Sequence, residues 1–171
     1  VASTNYTFDS IVFATGFDAM TGAMLDIDIQ VEGGASMADA WQHGPKTYLG
    51  LMVAGFPNLF TITGPGSPGV KSQMILSIEQ HVDFIAACLQ HMRSRGMSQV
   101  EAEPAAEQAW VSHVKAVAES TLYPRADSWY MGANIPGKPL VFMPYVGGVD
   151  AYKKECDEVV ADGYKGFSFA S

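Results

Sequence analysis

Residues 59–69 read Leu-Phe-Thr-Ile-Thr-Gly-Pro-Gly-Ser-Pro-Gly, and they join an apolar run to a long amphipathic segment. The apolar, β-branched part at 59–63 ends at Gly64, a pattern typical of a strand that is covered on both faces. Residues 10–16, Ser-Ile-Val-Phe-Ala-Thr-Gly, show the same pattern earlier in the chain. We therefore expect two strands of a parallel sheet, at 10–16 and 59–63.

The segment that follows, 72–95, predicts the longest helix of the chain. Its apolar residues recur every three or four positions, as on one face of a helix. They are Met74, Ile75, Ile78, Val82, Ile85, Leu89 and Met92. Ser72 is the expected N-cap, and Gly96 is the expected residue after the last turn. Met74 and Ile78 are most simply core residues of this stripe.

The rest of the chain predicts two shorter helices and two weaker strands. A helix at 104–120 has Pro104 in its first turn, and a helix at 150–162 is stopped by Gly163. Residues 25–29 alternate like an exposed hairpin strand, and the apolar run 140–143 fits another strand. The pattern indicates an α/β fold in one structural unit.

Composition excludes several classes of protein. The chain has 171 residues, of which 48% are hydrophobic, and 10 Lys and Arg face 18 Asp and Glu, a net charge of −8. This balance offers no basic surface for nucleic acid, and no apolar stretch approaches the roughly 18 residues of a membrane span. Two cysteines indicate a reducing, cytoplasmic compartment. Because the chain starts at Val1 without Met and soon enters an apolar run, we expect it to be part of a longer protein.

Residues 64–69 match the dinucleotide fingerprint G-x-G-x-x-G, but two details count against it. The predicted helix starts after the third glycine, and Pro68 disfavours a helical Ser67. The acidic residue that should follow a second strand falls inside the long helix. We therefore expect a coincidental match. What remains is a Gly/Pro turn that leads into a helix N-terminus, where an anion or an electron-rich ring is favoured. A tight turn without a ligand stays an open alternative.

Other catalytic and metal motifs are absent from the sequence. Ser67 is not the nucleophile of a G-x-S-x-G turn, because Pro65 replaces the first glycine. Cys88 and His91 lie three residues apart, but no second pair shows ligand spacing. The remaining histidines are isolated, and we expect each to be structural or exposed: His43, His81 and His113. The sequence thus predicts no metal site and no catalytic residue of its own.

A Gly/Pro-rich loop at 127–138 carries two large aromatic residues, Trp129 and Tyr130. Such a loop cannot bury both by itself, so they either dock on the protein or cover a ligand. Lys138 adds a cation to the same loop. Both interpretations stay open at this point.

A set of short motifs occurs in an order that resembles type I Baeyer–Villiger monooxygenases, with the phenylacetone and steroid monooxygenase branch most similar. The motifs are Ala-Thr-Gly-Phe-Asp at 14–18, Gly-Pro-Lys-Thr-Tyr-Leu-Gly at 44–50, Phe-Pro-Asn-Leu-Phe at 56–60, Gly-Pro-Gly-Ser-Pro at 64–68, Ser-Ile-Glu-Gln-His-Val at 77–82, Trp129 with Gly-Ala-Asn-Ile-Pro-Gly-Lys at 132–138, and Gly-Tyr-Lys-Gly-Phe at 163–167. The resemblance implies that residues 1–171 form the closing part of a FAD-binding domain of the glutathione-reductase-like, Rossmann type, with parallel strands, a long helix and C-terminal helices and loops.

The resemblance also implies an activity and its cofactors. Family members use FAD and NADPH to insert one oxygen from O2 into a ketone through a C4a-peroxyflavin, and they release an ester or lactone. The implied cofactor contacts are Thr15, Asp18, Gln73, Met74, Trp129 and Lys138. The implied substrate contacts are Gly69, Val70, Lys71 and Met74.

Individual roles follow from the same resemblance. The backbone N–H of Met74 or Gln73 would face the pyrimidine side of the flavin, and Trp129 would close over NADP. Residues 69–71 would form a bulge beside the substrate pocket. Lys71 is charged where the related branch carries small or apolar residues, so the resemblance does not identify the ketone.

The family's two dinucleotide fingerprints, its F-x-G-x-x-x-H-x-x-x-W signature and its catalytic arginine are not in this sequence. We therefore expect the chain alone to be inactive with FAD, NADPH and ketones. Two alternatives remain: part of a flavin monooxygenase that hydroxylates nitrogen or sulfur, or a non-catalytic domain that self-associates through uncovered strand edges and apolar faces.

Overall fold

The structure of the chain is a computed structural model, and it describes residues 4–69 and 71–171. The described residues form helices, short 3-10 turns and one small sheet. The helices are α1 (Gly22–Leu25), α2 (Met37–Ala40), α3 (Met74–Ser94), α4 (Pro104–Glu119) and α5 (Val149–Ala161). The 3-10 turns are Tyr123–Arg125 and Trp129–Met131.

The sheet differs from the expected one. It consists of β1 (Gln99–Ala102) and β2 (Phe167–Ala170), which pair antiparallel with Val100 opposite Phe169. Neither strand was expected from the sequence, because each is short and its partner lies about seventy residues away in the chain.

The two expected parallel strands are wrong for the described residues. Residues 10–16 have no regular structure and are exposed, with Val12 at 86%. In 59–63, only Phe60 pairs, through an isolated antiparallel bridge with Met52. An apolar run becomes a buried parallel strand only where neighbouring strands and helices cover it. The described part of the chain supplies no such neighbours.

The three main helices are confirmed, with one correction. α4 and α5 lie within one residue of the expected bounds, and Gly96 and Gly163 follow α3 and α5 with positive φ angles of 67° and 70°. Ser72 is not the N-cap of α3. Gln73 takes that position, and its Oε1 accepts hydrogen bonds from the N–H groups of Ile75 at 2.8 Å and Leu76 at 3.3 Å.

α3 packs through a face that its apolar pattern did not indicate. Its buried residues are Ser77, His81, Phe84, Cys88 and Met92. The greater part of the expected stripe is exposed instead: Ile75, Ile78, Val82 and Leu89. The expectation that Ile78 lies in the core is therefore wrong, and Met74 is only half-buried. One long side of α3 thus presents apolar side chains outward.

Among the residues that the structure describes, two hydrophobic clusters form the core. The larger one joins α3, α4, α5 and the sheet, with Phe84, Trp110, Tyr152 and Phe167 among its members. The smaller one contains Met37, Trp41, Val53 and Phe56. Residues 25–29 and 140–143 are not strands, although Val141 and Met143 donate backbone hydrogen bonds to the carbonyls of Met131 and Tyr130. Residues 140–143 are therefore hydrogen-bonded to the Trp129 loop.

Within residues 4–69 and 71–171, none of the helices has the length and apolar character that crossing a membrane requires.

Candidate functional site

The turn at 64–68 is buried and its polar groups bond to the protein itself. The Gly66 N–H donates to the carbonyl of Met143 at 2.6 Å, and the Ser67 N–H donates to that of Gly64 at 3.1 Å. Trp110 Nε1 donates to the Gly66 carbonyl at 3.1 Å. A phosphate cradle needs open N–H groups. The bonds of this turn therefore agree with the expectation that its fingerprint is coincidental.

A buried histidine holds the residue that precedes this turn. The His81 side chain is fully buried, its Nδ1 accepts a hydrogen bond from the Thr63 N–H at 3.0 Å, and its Nε2 lies 2.9 Å from Tyr152 Oη. Tyr152 Oη donates to the Leu49 carbonyl at 2.6 Å, so Nε2 carries the proton and donates to Tyr152.

This network supports a strained backbone. Thr63 has a positive φ of 55°, which is unfavourable for a β-branched residue. The sequence indicated only that His81 is structural or exposed, and the structure shows it to be structural. Its role depends on partners 18 and 71 residues away. Nothing in the local pattern points to them.

Two of the expected substrate contacts line a cavity beside the start of α3. Gly69 and Lys71 border a space of about 240 Å³, together with Tyr123, Tyr130 and Tyr145 among others. Lys71 is exposed, and its Nζ lies 4.8 Å from the centre of the Tyr123 ring. Val70 lies outside the described residues.

The Trp129 loop covers one side of this cavity. Trp129 opens a 3-10 turn and is half-buried, and its ring centre lies 4.1 Å from that of the buried Tyr130. Gly132 ends the turn with a φ of 76°, a conformation in which glycine is the least strained residue. Tyr130 thus docks on the protein and lines the cavity, while the neighbouring Trp129 stays partly accessible.

Lys138 and Asp18 contact each other. Lys138 Nζ lies 2.5 Å from Asp18 Oδ1 and donates to Thr21 Oγ1 at 2.6 Å, and the two charged side chains are only 11% and 21% exposed. Burial alone would raise the pKa of Asp18, but hydrogen bonds from Lys138 and Thr21 outweigh it and lower the pKa. Asp18 is therefore a carboxylate at neutral pH.

The structure brings the expected site residues together in two groups. Gly69 and Lys71 share the cavity with Tyr130, next to Trp129, whereas Asp18 and Lys138 line a second cavity of about 350 Å³. Gln73 lies at the N-terminal end of α3, beside the half-buried Met74. Thr15 lies in the exposed segment at the start of the chain.

No metal centre is found in the part of the chain that the structure describes, where no three His, Cys, Asp or Glu side chains cluster. Cys88 is buried in the core, and His91 packs against Tyr164 and Phe169.

Comparison with known proteins identifies relatives along nearly the whole chain, although no family model matches it. It is 40% identical to an acetone monooxygenase (methyl acetate-forming) from Gordonia sp., over 98% of this chain and 32% of that protein. It is also 40% identical to a cyclopentanone 1,2-monooxygenase from Comamonas sp., over 96% of this chain and 30% of that protein. A phenazine N-monooxygenase from Lysobacter antibioticus is 35% identical over 95% of this chain and 30% of its own length.

Solved structures of monooxygenases are also similar to this chain. A cyclohexanone monooxygenase from Rhodococcus sp. Phi1 bound to NADP+ matches with a TM-score of 0.92 and 37% identity, over 97% of this chain and 31% of that chain. OTEMO in complex with FAD and NADP matches with a TM-score of 0.85 and 34% identity, over 96% of this chain and 30% of that one. The chain therefore spans about a third of its relatives' length. In sequence and in fold it is similar to one part of the Baeyer–Villiger monooxygenases, one of which, from Pseudooceanicola batsensis, is 40% identical over 93% of this chain and 29% of its own length.

Proposed function

We propose that this chain is the closing part of the FAD-binding domain of a Baeyer–Villiger monooxygenase that uses NADPH and O2 to convert a ketone into an ester or lactone. The observation that carries the proposal is the end-to-end match to such enzymes, with a TM-score of 0.92 to one that is bound to NADP+. Among the expected residues, Gly69, Lys71, Gln73 and Met74 lie at or next to the start of α3, and Trp129 and Lys138 lie in one loop, with Asp18 bonded to Lys138.

The residues at the start of α3 fit a flavin ring. The N-terminus of a 21-residue helix carries roughly half a positive charge, which favours an electron-rich or anionic ring. The N–H groups of Ile75 and Leu76 already donate to Gln73 Oε1. The contact to the flavin is therefore assigned to the backbone N–H of Met74. Ile75 and Ile78 beside it are exposed and apolar. FAD supplies the oxygen chemistry when it is bound there.

The chain's own residues would position the reactants. The α3 N-terminus orients the flavin, Gly69, Lys71 and the half-buried Met74 border the ketone, and Trp129 covers NADP and excludes water. Val70 and Thr15 complete the proposed contacts to ketone and cofactor. In this arrangement Lys71, held beside Tyr123, places a cation at the rim of the ketone pocket and disfavours cationic substrates.

Two exposed apolar surfaces fit a position inside a larger enzyme. One is the segment 8–17, where Phe8, Ile11, Phe13 and Phe17 are all exposed. The other is the outward side of α3. Contiguous apolar surface of this kind is covered in most soluble proteins. We propose that the remaining two thirds of the monooxygenase cover both surfaces.

A chimera tests the proposed function. This chain replaces the matching segment of the Rhodococcus cyclohexanone monooxygenase, and the product is purified with its FAD. We expect oxidation of NADPH that depends on acetone, cyclopentanone or cyclohexanone and yields the corresponding ester or lactone. A chimera that holds FAD and oxidises NADPH, yet makes no ester from any ketone tested, contradicts the proposal.

Removing the Trp129 ring should weaken NADP binding in this chimera. Because an aromatic contact contributes about 1 kcal/mol, Trp129→Ala is expected to raise the Kd for NADP+ by about fivefold. Its FAD content should not change. Trp129→Phe, which keeps a ring, serves as the matched control and should show a smaller rise. An unchanged Kd in Trp129→Ala would refute the covering role.

A flavin monooxygenase that oxidises nitrogen is the second candidate. It is favoured by the 35% identity to the phenazine N-monooxygenase. If the chimera forms the N-oxide of phenazine and no ester from ketones, this second function replaces the first.

A further inference from the structure

We propose that Asp18 and Thr21 are positioning residues that anchor the Trp129 loop through Lys138, and that Lys138 therefore does not bind a cofactor phosphate. We call the contacts of Lys138 with Asp18 and Thr21 the anchor, and these contacts do not depend on a bound cofactor. The statement that Lys138 does not bind a cofactor phosphate rests on the function proposed above.

The anchor joins two parts of the chain that are 120 residues apart. Lys138 donates to both Asp18 Oδ1 and Thr21 Oγ1, and Thr21 Oγ1 lies 3.0 Å from Asp18 Oδ2. A second bond runs parallel to it, from Asn134 Nδ2 to the Phe17 carbonyl at 3.0 Å. Both ends of the loop segment 134–138 are therefore fixed to residues 17–21.

Glycines lie against both side chains of the pair. A Cβ on Gly132 would lie 3.0 Å from Lys138 Cδ, so the lysine stem passes directly over that glycine. A Cβ on Gly22 would lie 2.9 Å from Asp18 Cβ. The Lys138 ammonium already donates to a carboxylate and a hydroxyl. Because the carboxylate neutralises its charge, its attraction for a phosphate is weak.

The pair differs from the exposed ion pairs of this chain. Lys153 and Asp157 on α5 also lie 2.5 Å apart, but their side chains are 56% and 61% exposed. Exposed helical pairs contribute little to stability, whereas bonds between partly buried charges are costly to break. The Lys153 pair is therefore the matched control.

Hydrogen exchange in this chain tests the anchor. Lys138→Met keeps the stem over Gly132 and removes the ammonium, and Asp18→Asn removes the charge of its partner. We expect the amides of Ala133, Ile135 and Lys138 to exchange at least about tenfold faster in each variant. The double variant should be no faster than either single one, and Lys138→Arg should restore part of the protection.

Amides of α4 and the variant Lys153→Met are the controls, and both should keep wild-type exchange. Wild-type loop exchange in both single variants would overturn the proposal. So would an equal acceleration of loop and α4 amides, because this would mean that the pair stabilises the whole chain and not the loop.

The chimera separates the anchor from a phosphate ligand. An anchor predicts that Asp18→Asn and Lys138→Met both raise the KM for NADPH and for NADH by similar factors. A phosphate ligand predicts that Lys138→Met affects NADPH alone and that Asp18→Asn, which frees the lysine, does not weaken NADPH binding; that result overturns the second half of the proposal. If the chimera binds no NADP at all, the proposed function fails while the exchange result for the anchor stands.

Discussion

Alanine in place of Gly50 is expected to lower the free energy of unfolding by about 4 kcal/mol, which corresponds to a fall in Tm of roughly 10 °C. Gly50 has a φ of 71°, and a Cβ there would lie 2.6 Å from Ser67 Cβ and 2.7 Å from Ser67 N. Ser67 cannot retreat, because its N–H bonds to Gly64 and its carbonyl accepts from Tyr145. In Gly50→Ala, the backbone strain and the overpacking against Ser67 therefore both lower the free energy of unfolding.

A second glycine separates the two causes. Gly163 has a φ of 70°, and its Cβ would meet nothing within 4 Å. Gly163→Ala should lose only about 1 to 2 kcal/mol, which is the cost of the left-handed backbone alone. Denaturant unfolding of both variants measures the difference. Equal losses would show that the turn at 64–68 is not packed against Gly50 as described.

Acidification between pH 6.5 and pH 4 is expected to remove about 3 kcal/mol of stability through His81. Burial lowers the pKa of His81 to about 4 in the folded chain, while it stays near 6.5 in the unfolded chain. In this window the unfolded state binds more protons, so stability is complete above pH 6.5 and falls as the pH drops towards 4. Protonation of Nδ1 also removes the acceptor for the Thr63 N–H.

Thermal unfolding at several pH values measures this slope. His81→Gln has no titrating group, so the part of the slope that His81 contributes should disappear. His43→Gln, at an exposed histidine, is the control and should retain the wild-type profile. If His81→Gln keeps the wild-type slope between pH 6.5 and pH 4, the buried neutral histidine is not responsible for it.

The three longer helices, α3, α4 and α5, could be predicted because the signals that define them are local. Periodicity, Pro104 at the start of α4 and the glycines after α3 and α5 all lie within or next to the segments that they define. The motifs that resemble the Baeyer–Villiger monooxygenases are also short and local, so the amino-acid sequence alone indicates this similarity. The turn at 64–68 and the Trp129 loop could be recognised for the same reason.

What could not be predicted depends on distant partners. The period of α3 shows that it has an apolar face, but Ser77 and His81 are buried on another face, where Thr63 and Tyr152 satisfy the imidazole. These bonds offset the desolvation of the His81 imidazole, and they are tertiary. β1, with the sequence Gln-Val-Glu-Ala, has no strong strand pattern of its own.

The apolar run at 10–16 and the outward side of α3 are both surfaces that another part of a larger enzyme would cover. Both match sequence patterns of buried elements, and both are exposed here. Self-association of the chain would cover them equally well and remains the alternative to a larger enzyme. Sedimentation of the chain and of the chimera distinguishes the two: a place inside a larger enzyme predicts that association of the chain alone is lost in the chimera.

A crystal structure of the chimera with FAD and NADP+ is the decisive measurement for the proposed function. We expect the backbone N–H of Met74 to contact the pyrimidine edge of the flavin, and the Trp129 ring to contact NADP+ while Lys138 stays on Asp18. A structure in which both cofactors are bound and neither the start of α3 nor Trp129 touches them would contradict the proposed function.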